Sequence, residues 1–249
     1  MSLDQLLYEA TIHYRSRGFP EAALVHLRWT LVTNVKDGKL CLQTAYPGCN
    51  RDVGDLIGYF RPCSKLSTLS DLSLADAVFG FSFGYRMKVW SEDVSPTEQS
   101  QVIANRVPGT NNAALAEQAR RLHLEYGHQL YLQFEIADAV GTSAKIEYQS
   151  SRKDQNTAAV TDEFIEHAEK SKETIRTVVV VAHRYHFERC RVILEKKKIT
   201  GLPPHDQYSG YDPFEAQPRV MSPDEFIVND FASMAGLASP PNTTAQADA

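Results

Sequence analysis

Residues able to do chemistry gather just past one β-branched run: Thr177-Val-Val-Val-Val-Ala182 is followed at once by His183, Arg184, His186 and Arg189. Imidazoles exchange protons near neutral pH, and guanidinium groups grip phosphate or carboxylate through paired hydrogen bonds. With a helix starting near Tyr185, His186 and Arg189 share one face of its first turn. Helix N-termini present N–H groups to anions, so His183, Tyr185, His186 and Arg189 together predict an anion-binding end to this segment. A charged hydrogen bond contributes roughly 1.5–3 kcal/mol, against about 0.3–1 kcal/mol from the helix dipole, so Arg189 is expected to dominate.

Other candidates lie upstream. Glu135 and Asp138 follow the apolar run from Gln129 to Ile136, read as a strand, and a carboxylate at a strand end serves as a general base or holds a ribose hydroxyl. Asn156 precedes a helical pattern and suits an N-cap that also faces the cleft. Thr110-Asn111-Asn112 offers caps for an earlier helix, with Asn111 counted among the ligand-facing residues. Gly80-Phe81-Ser82-Phe83-Gly84 is a small-residue turn whose Gly80, Ser82 and Gly84 are ligand-contact candidates. The same turn matches the G-x-S-x-G nucleophile elbow, which makes a serine esterase of α/β-hydrolase type the rival reading, with His183 or His186 as base and Asp138 between them in the chain. That reading requires strands before the elbow and a helix directly after it, whereas Arg86 to Asp93 has little helical periodicity. His183-x-x-His186 has neither an HExxH frame nor a third ligand at a telling spacing, so no metal is expected.

The elements that position these residues alternate. Strands are predicted at 77–81, 129–136, 144–148 and 177–182, and helices at 112–126, 157–170 and 185–197, the first stopped by Gly127. This order predicts a Rossmann-like α/β fold: a three-layer sandwich with a mainly parallel sheet, whose ligands collect at the carboxyl ends of the strands. Four consecutive valines suit a central strand covered on both faces. Residues 1–74 read as a helical N-terminal extension, with Leu6, Leu7 and Ala10, then Leu24, Leu27 and Leu31, at helical spacing. Lys36-Asp37-Gly38-Lys39 is a candidate hairpin turn. Residues 75–236 form the predicted α/β domain, closed by a helix at 223–235, and 237–249 a disordered polar tail. Residues 91–110 read as a long loop of the kind that covers a site.

Composition narrows the partners. Among 249 residues, 26 basic against 31 acidic side chains leave a net charge of −5, so no global basic field draws the protein to nucleic acid or an anionic membrane. The four cysteines show no CxxC spacing, which suits a reducing, cytoplasmic setting. The N-terminus lacks the basic and apolar regions of a signal peptide, and no apolar stretch has the length of a membrane span. A small-molecule ligand is the expected partner.

The segment Val181-Ala-His-Arg-Tyr185-His186-Phe-Glu-Arg189-Cys190 resembles the strand-to-helix segment of the YdcF/SanA-like family, a bacterial domain family of undefined activity whose segment ends in Tyr-His-x-x-Arg. The order of the other pieces is similar over about residues 75–198: a strand and glycine turn at Gly80–Gly84, a helix and strand at 112–136, then Ser150-Ser151-Arg152 with Asn156-Thr157. The glycine turn is poorer in glycine here, and the family's Ser-x-x-Thr-x-x-Asn spacing is replaced. The resemblance implies a Rossmann-like domain holding a nucleotide-like, adenosyl or phosphate-bearing ligand, with S-adenosylmethionine as one such cofactor. His186 and Glu135 are then the catalytic candidates. A non-catalytic ligand-sensing module is the alternative.

Overall fold

The computed structural model describes residues 3–42, 49–56, 60, 72–87, 106–153, 155–212, 214, 216–217 and 220–237. In chain order its elements are α1 (Leu3–Ser16), α2 (Glu21–Thr33), β1 (Val35–Lys36), β2 (Lys39–Leu42), β3 (Cys49–Asp52), α3 (Val53–Leu56), β4 (Ala77–Gly80), β5 (Arg86–Met87), β6 (Arg106–Val107), α4 (Thr110–Tyr126), β7 (Gln129–Leu132), α5 (Phe134–Val140), β8 (Tyr148–Gln149), α6 (Thr157–Lys170), β9 (Thr177–Val181), α7 (Arg184–Lys196), β10 (Thr200–Leu202) and α8 (Pro223–Leu237). The chain divides into two compact units, residues 1–64 with 222–249, and residues 65–221.

In the second unit, five strands form one parallel sheet in the order β8-β7-β4-β9-β10. Helices α4 and α5 pack together, as do α6 and α7. Side chains alternate across a strand, so Ala77 and Phe79 join Val178 and Val180 against Val160 and Phe164 of α6 and Phe187, Cys190 and Leu194 of α7. The opposite face carries Val78, Leu130, Leu132, Val179 and Val181, all at 0% exposure. Each fully buried valine contributes about 1.5–3 kcal/mol, which suits β9 to an interior place between β10 and the middle strand β4. The fold is therefore the expected α/β sandwich, with every strand of the sheet parallel.

The strand order reverses between β4 and β9, because the chain leaves β4 toward α4 and β9 toward α7 on the other face. Doubly wound sheets take ligands beside such a reversal, at the carboxyl ends. Gly80 closes β4 there, opposite Leu132 and Val181. A Cβ at Gly80 would stand 2.6 Å from Leu132 Cδ2 and 3.4 Å from Ile136 Cδ1. Gly80 thus secures strand and helix packing. Gly80→Ala is expected to cost about 1–3 kcal/mol through overpacking, read as a lower denaturant midpoint at unchanged slope.

Three expectations require correction. The run from Gln129 stops as a strand at Leu132 and turns into α5, so Glu135 and Asp138 lie on a helix. The strand expected at 144–148 is reduced to Tyr148–Gln149. The helix from Pro223 packs with α2 and belongs with residues 1–64 instead of the α/β unit. Of the loop expected at 91–110, residues 91–105 lie outside the described residues, as does the tail from 238; Arg106–Val107 pair with Arg86–Met87 as an antiparallel ribbon.

The first unit combines α1, α2, α3 and α8 with the antiparallel sheet β1-β2-β3. Asp37 and Gly38, at φ 50° and 75°, make the two-residue turn between β1 and β2. Phe60 stacks on Phe231 at 4.4 Å, and the buried Arg17 guanidinium reaches Asp230 at 2.6 Å. Among the described residues no helix is long and apolar enough to cross a membrane.

Candidate functional site

The turn beyond β4 is held from two sides. Asn112, at 0% exposure, accepts from the Phe83 N–H at 2.9 Å and donates to the Gly84 carbonyl at 2.7 Å. Gln133 accepts from the Ser82 N–H at 3.0 Å, while its own N–H donates to the Gly80 carbonyl at 2.9 Å. Gly84 takes φ 75°, a left-handed conformation that favours glycine. Past Ser82 the chain runs on into strand β5, so the strand-turn-helix of a nucleophile elbow is not formed at this turn.

Glu135 faces this turn from the first turn of α5. Its side chain is 3% exposed, and the nearest cation, Arg106, stands 3.6 Å away, beyond hydrogen-bond range. The Arg106 guanidinium lies 4.0 Å above the Tyr85 ring. Glu135 Oε2 is buried without a hydrogen-bond partner. Burial raises the Glu135 carboxyl from the usual 4.5 to about 7, overcoming its own backbone N–H, the attraction of Arg106 and the nearby Ser82 hydroxyl, all of which favour the charged form. The ion pair and the raised value pull in opposite directions; burial wins because 3.6 Å leaves the pair without a direct bond. A carboxyl poised near neutrality at the carboxyl ends of β4 and β7 can both take up and release a proton.

The start of α7 is arranged differently from the expectation. His183 is its N-cap, at 0% exposure, with Nδ1 accepting from the Tyr185 N–H at 3.3 Å. That fixes the proton on Nε2, which donates to the Gly210 carbonyl at 2.9 Å. Burial pushes this imidazole down to about 4, so it stays neutral at pH 7. The Phe83 ring stacks on it at 3.9 Å. The Arg184 N–H donates to the Tyr208 carbonyl at 2.7 Å, and the His186 and Phe187 N–H groups to the His183 carbonyl at 2.8 and 3.0 Å. The first four N–H groups of α7 are thus all engaged within the protein. Tyr185 is buried, with its ring 6.1 Å from that of Tyr211.

His186, 4% exposed, comes within 3.0 Å of the Thr157 hydroxyl at the start of α6. Asn156 caps α6 by accepting from the Ala159 N–H at 2.9 Å. Arg189 lies half-buried one turn further along α7. His186, Thr157 and Asn156 therefore form one group, and Gly80, Ser82, Gln133 and Glu135 another, with Phe83 between them at 6.3 Å from the His186 ring. Asp138 pairs with Arg152 outside both. The N-cap of α4 is Gly109; of the expected caps, Asn111 instead accepts from the Tyr208 hydroxyl at 3.1 Å.

A strap formed by residues 203–212 crosses these ends. Its Asp212, 2% exposed, accepts from Arg86 Nε and Nη2 at 2.7 and 2.8 Å, from the Thr110 N–H and hydroxyl at 3.0 and 2.6 Å, and from the Phe214 N–H at 3.0 Å. The Arg86 fork, helped by Thr110, holds this carboxyl below the usual carboxylate range. The strap thus gives the first N–H of α4 and the first of α7 an acceptor from within the protein, and Glu135 Oε2 is one of several buried polar atoms left without a hydrogen bond among the described residues.

Sequence reasoning did not single out Arg106, Gln133 or Asp212; Asn112 was named only as a helix cap, and Thr157 only within the Asn156-Thr157 segment of the family resemblance. Arg106 fell inside a presumed loop, and the others act across the chain with no local spacing to mark them. Among the described residues no three His, Cys, Asp or Glu side chains gather as metal ligands. No protein-family model, curated protein or solved structure matches the chain.

Proposed function

We propose that the α/β unit binds a small nucleotide-like, phosphate-bearing ligand beside the carboxyl ends of β4 and β7, with Glu135 exchanging a proton with it. The observation that carries this reading is the buried Glu135 carboxyl whose Oε2 has no partner in the protein. Natural proteins satisfy nearly all buried polar atoms, and a carboxyl held near 7 costs stability at neutral pH, a cost commonly kept at functional sites. Arg106, 3.6 Å from Glu135, supplies positive charge to an anionic ligand, and the clamped Ser82–Gly84 turn supplies a fixed wall. His186, bonded to Thr157, sets the far wall. An adenosyl cofactor such as S-adenosylmethionine, membership of the YdcF/SanA-like family and a cytoplasmic setting belong to the same proposal.

The test uses adenosine monophosphate, S-adenosylmethionine and inorganic phosphate as separate probes in amide-detected NMR. The expected result is that a nucleotide probe perturbs Ser82, Phe83, Gln133, Glu135 and Arg106, and that Glu135→Gln weakens this binding by about tenfold or more, the loss of one charge-assisted hydrogen bond. Perturbations confined to other residues, or none with any probe, would overturn it.

A further inference from the structure

Helix α2 is apolar on both sides. Ala23, Leu24, Leu27 and Leu31 are buried on one face, while Val25, Trp29 and Val32 stand 65%, 65% and 50% exposed on the other. With Ala22, these outward residues fall at i, i+3, i+7 and i+10, the a/d spacing of a helix–helix seam. The rims of the seam hold Glu21 and Arg28 on one side and His26 and Thr33 on the other. A surface helix ordinarily keeps one apolar stripe for its core, and α2 carries a second that faces solvent between polar rims.

We propose that α2 docks antiparallel against α2 of a second copy of this chain. The order of sizes along the seam favours a twofold partner. An antiparallel seam with its twofold axis at position 27 sets Val25 against Trp29 of the second copy, and Ala22 against Val32. Small residues then meet large ones at every level, and a parallel pairing would drive Trp29 into its own copy. Area agrees. With Tyr8 of α1, 67% exposed and lining one pocket with Arg28 of the rim, these residues expose about 500 Å² of accessible surface per copy, most of it apolar. Complete coverage in both copies buries about 1,000 Å², the lower bound for a specific interface.

Sedimentation equilibrium of the full chain at micromolar concentration tests this, with helical content followed by circular dichroism. The wild type is expected to be a dimer, and Trp29→Glu to raise its dissociation constant by at least about 30-fold with helicity unchanged, as for a central aromatic anchor. Leu124→Glu, at another exposed apolar residue, is expected to leave the dimer intact. A monomeric wild type, or a dimer that survives Trp29→Glu, would overturn the proposal.

Discussion

Glu135→Gln should make the α/β unit more stable above neutral pH while weakening the ligand binding proposed for it. The folded carboxyl titrates near 7 and the unfolded one near 4.5. Between these values the folded state holds a proton that the unfolded state has released, so stability falls as pH rises through the window and levels off above it. At about 1.4 kcal/mol per pH unit, wild-type protein gives up about 3 kcal/mol by pH 8. Glutamine stands in for the protonated acid, so the attraction of Arg106 is already counted in that difference. The variant is therefore expected to melt about 6–12 °C higher than wild type at pH 8 and to match it below the unfolded value. Thermal unfolding across pH reads both limits. A variant less stable at pH 8 would mean that the Arg106 contact outweighs burial.

Asp212→Ala should have the opposite sign. Its carboxylate receives five hydrogen bonds from Arg86, Thr110 and Phe214, tying β5, the start of α4 and the strap together. Removing one partner of a buried pair costs about 3–5 kcal/mol. The Arg86 side chain keeps 40% exposure and water can solvate it, which places the cost at the lower end. A fall in melting temperature of about 6–12 °C is expected. Because the folded Asp212 carboxyl is held below the usual 3.8, its contribution is complete above that value and lost as pH falls through the folded one. Acid thus stabilises the unit through Glu135 and then destabilises it through Asp212, giving a stability maximum on the acid side of neutrality. A melting temperature unchanged by Asp212→Ala would show that the strap is held elsewhere.

Local signals read well where an element is specified by its own residues. Val178–Val181 predicted the buried strand, Asn156 the cap of α6, and Gly127, at φ 75°, the end of α4. Reading failed where a distant partner decides. Nothing between Gln129 and Ile136 breaks a strand; the chain turns at Gln133 because Gly80, Ser82 and Ser150, remote in sequence, take up Gln133 and the Phe134 N–H. The same holds for Asp212, whose partners Arg86 and Thr110 lie 126 and 102 residues away. Helix α8 carries an apolar face, but the choice of α2 as its partner is not written in its spacing. The proposed site keeps the place expected for it, the carboxyl ends of the strands. The proposal centres it on Glu135 instead of the start of α7, because the strap and His183 engage the N–H groups there and the burial of Glu135 is something no local pattern reports.

The most direct test follows the Glu135 side-chain carboxyl carbon by NMR through the pH range, with and without adenosine monophosphate. A midpoint near 7 that moves when the nucleotide binds is the predicted result. A midpoint near 4.5, unmoved by the nucleotide, would contradict the account.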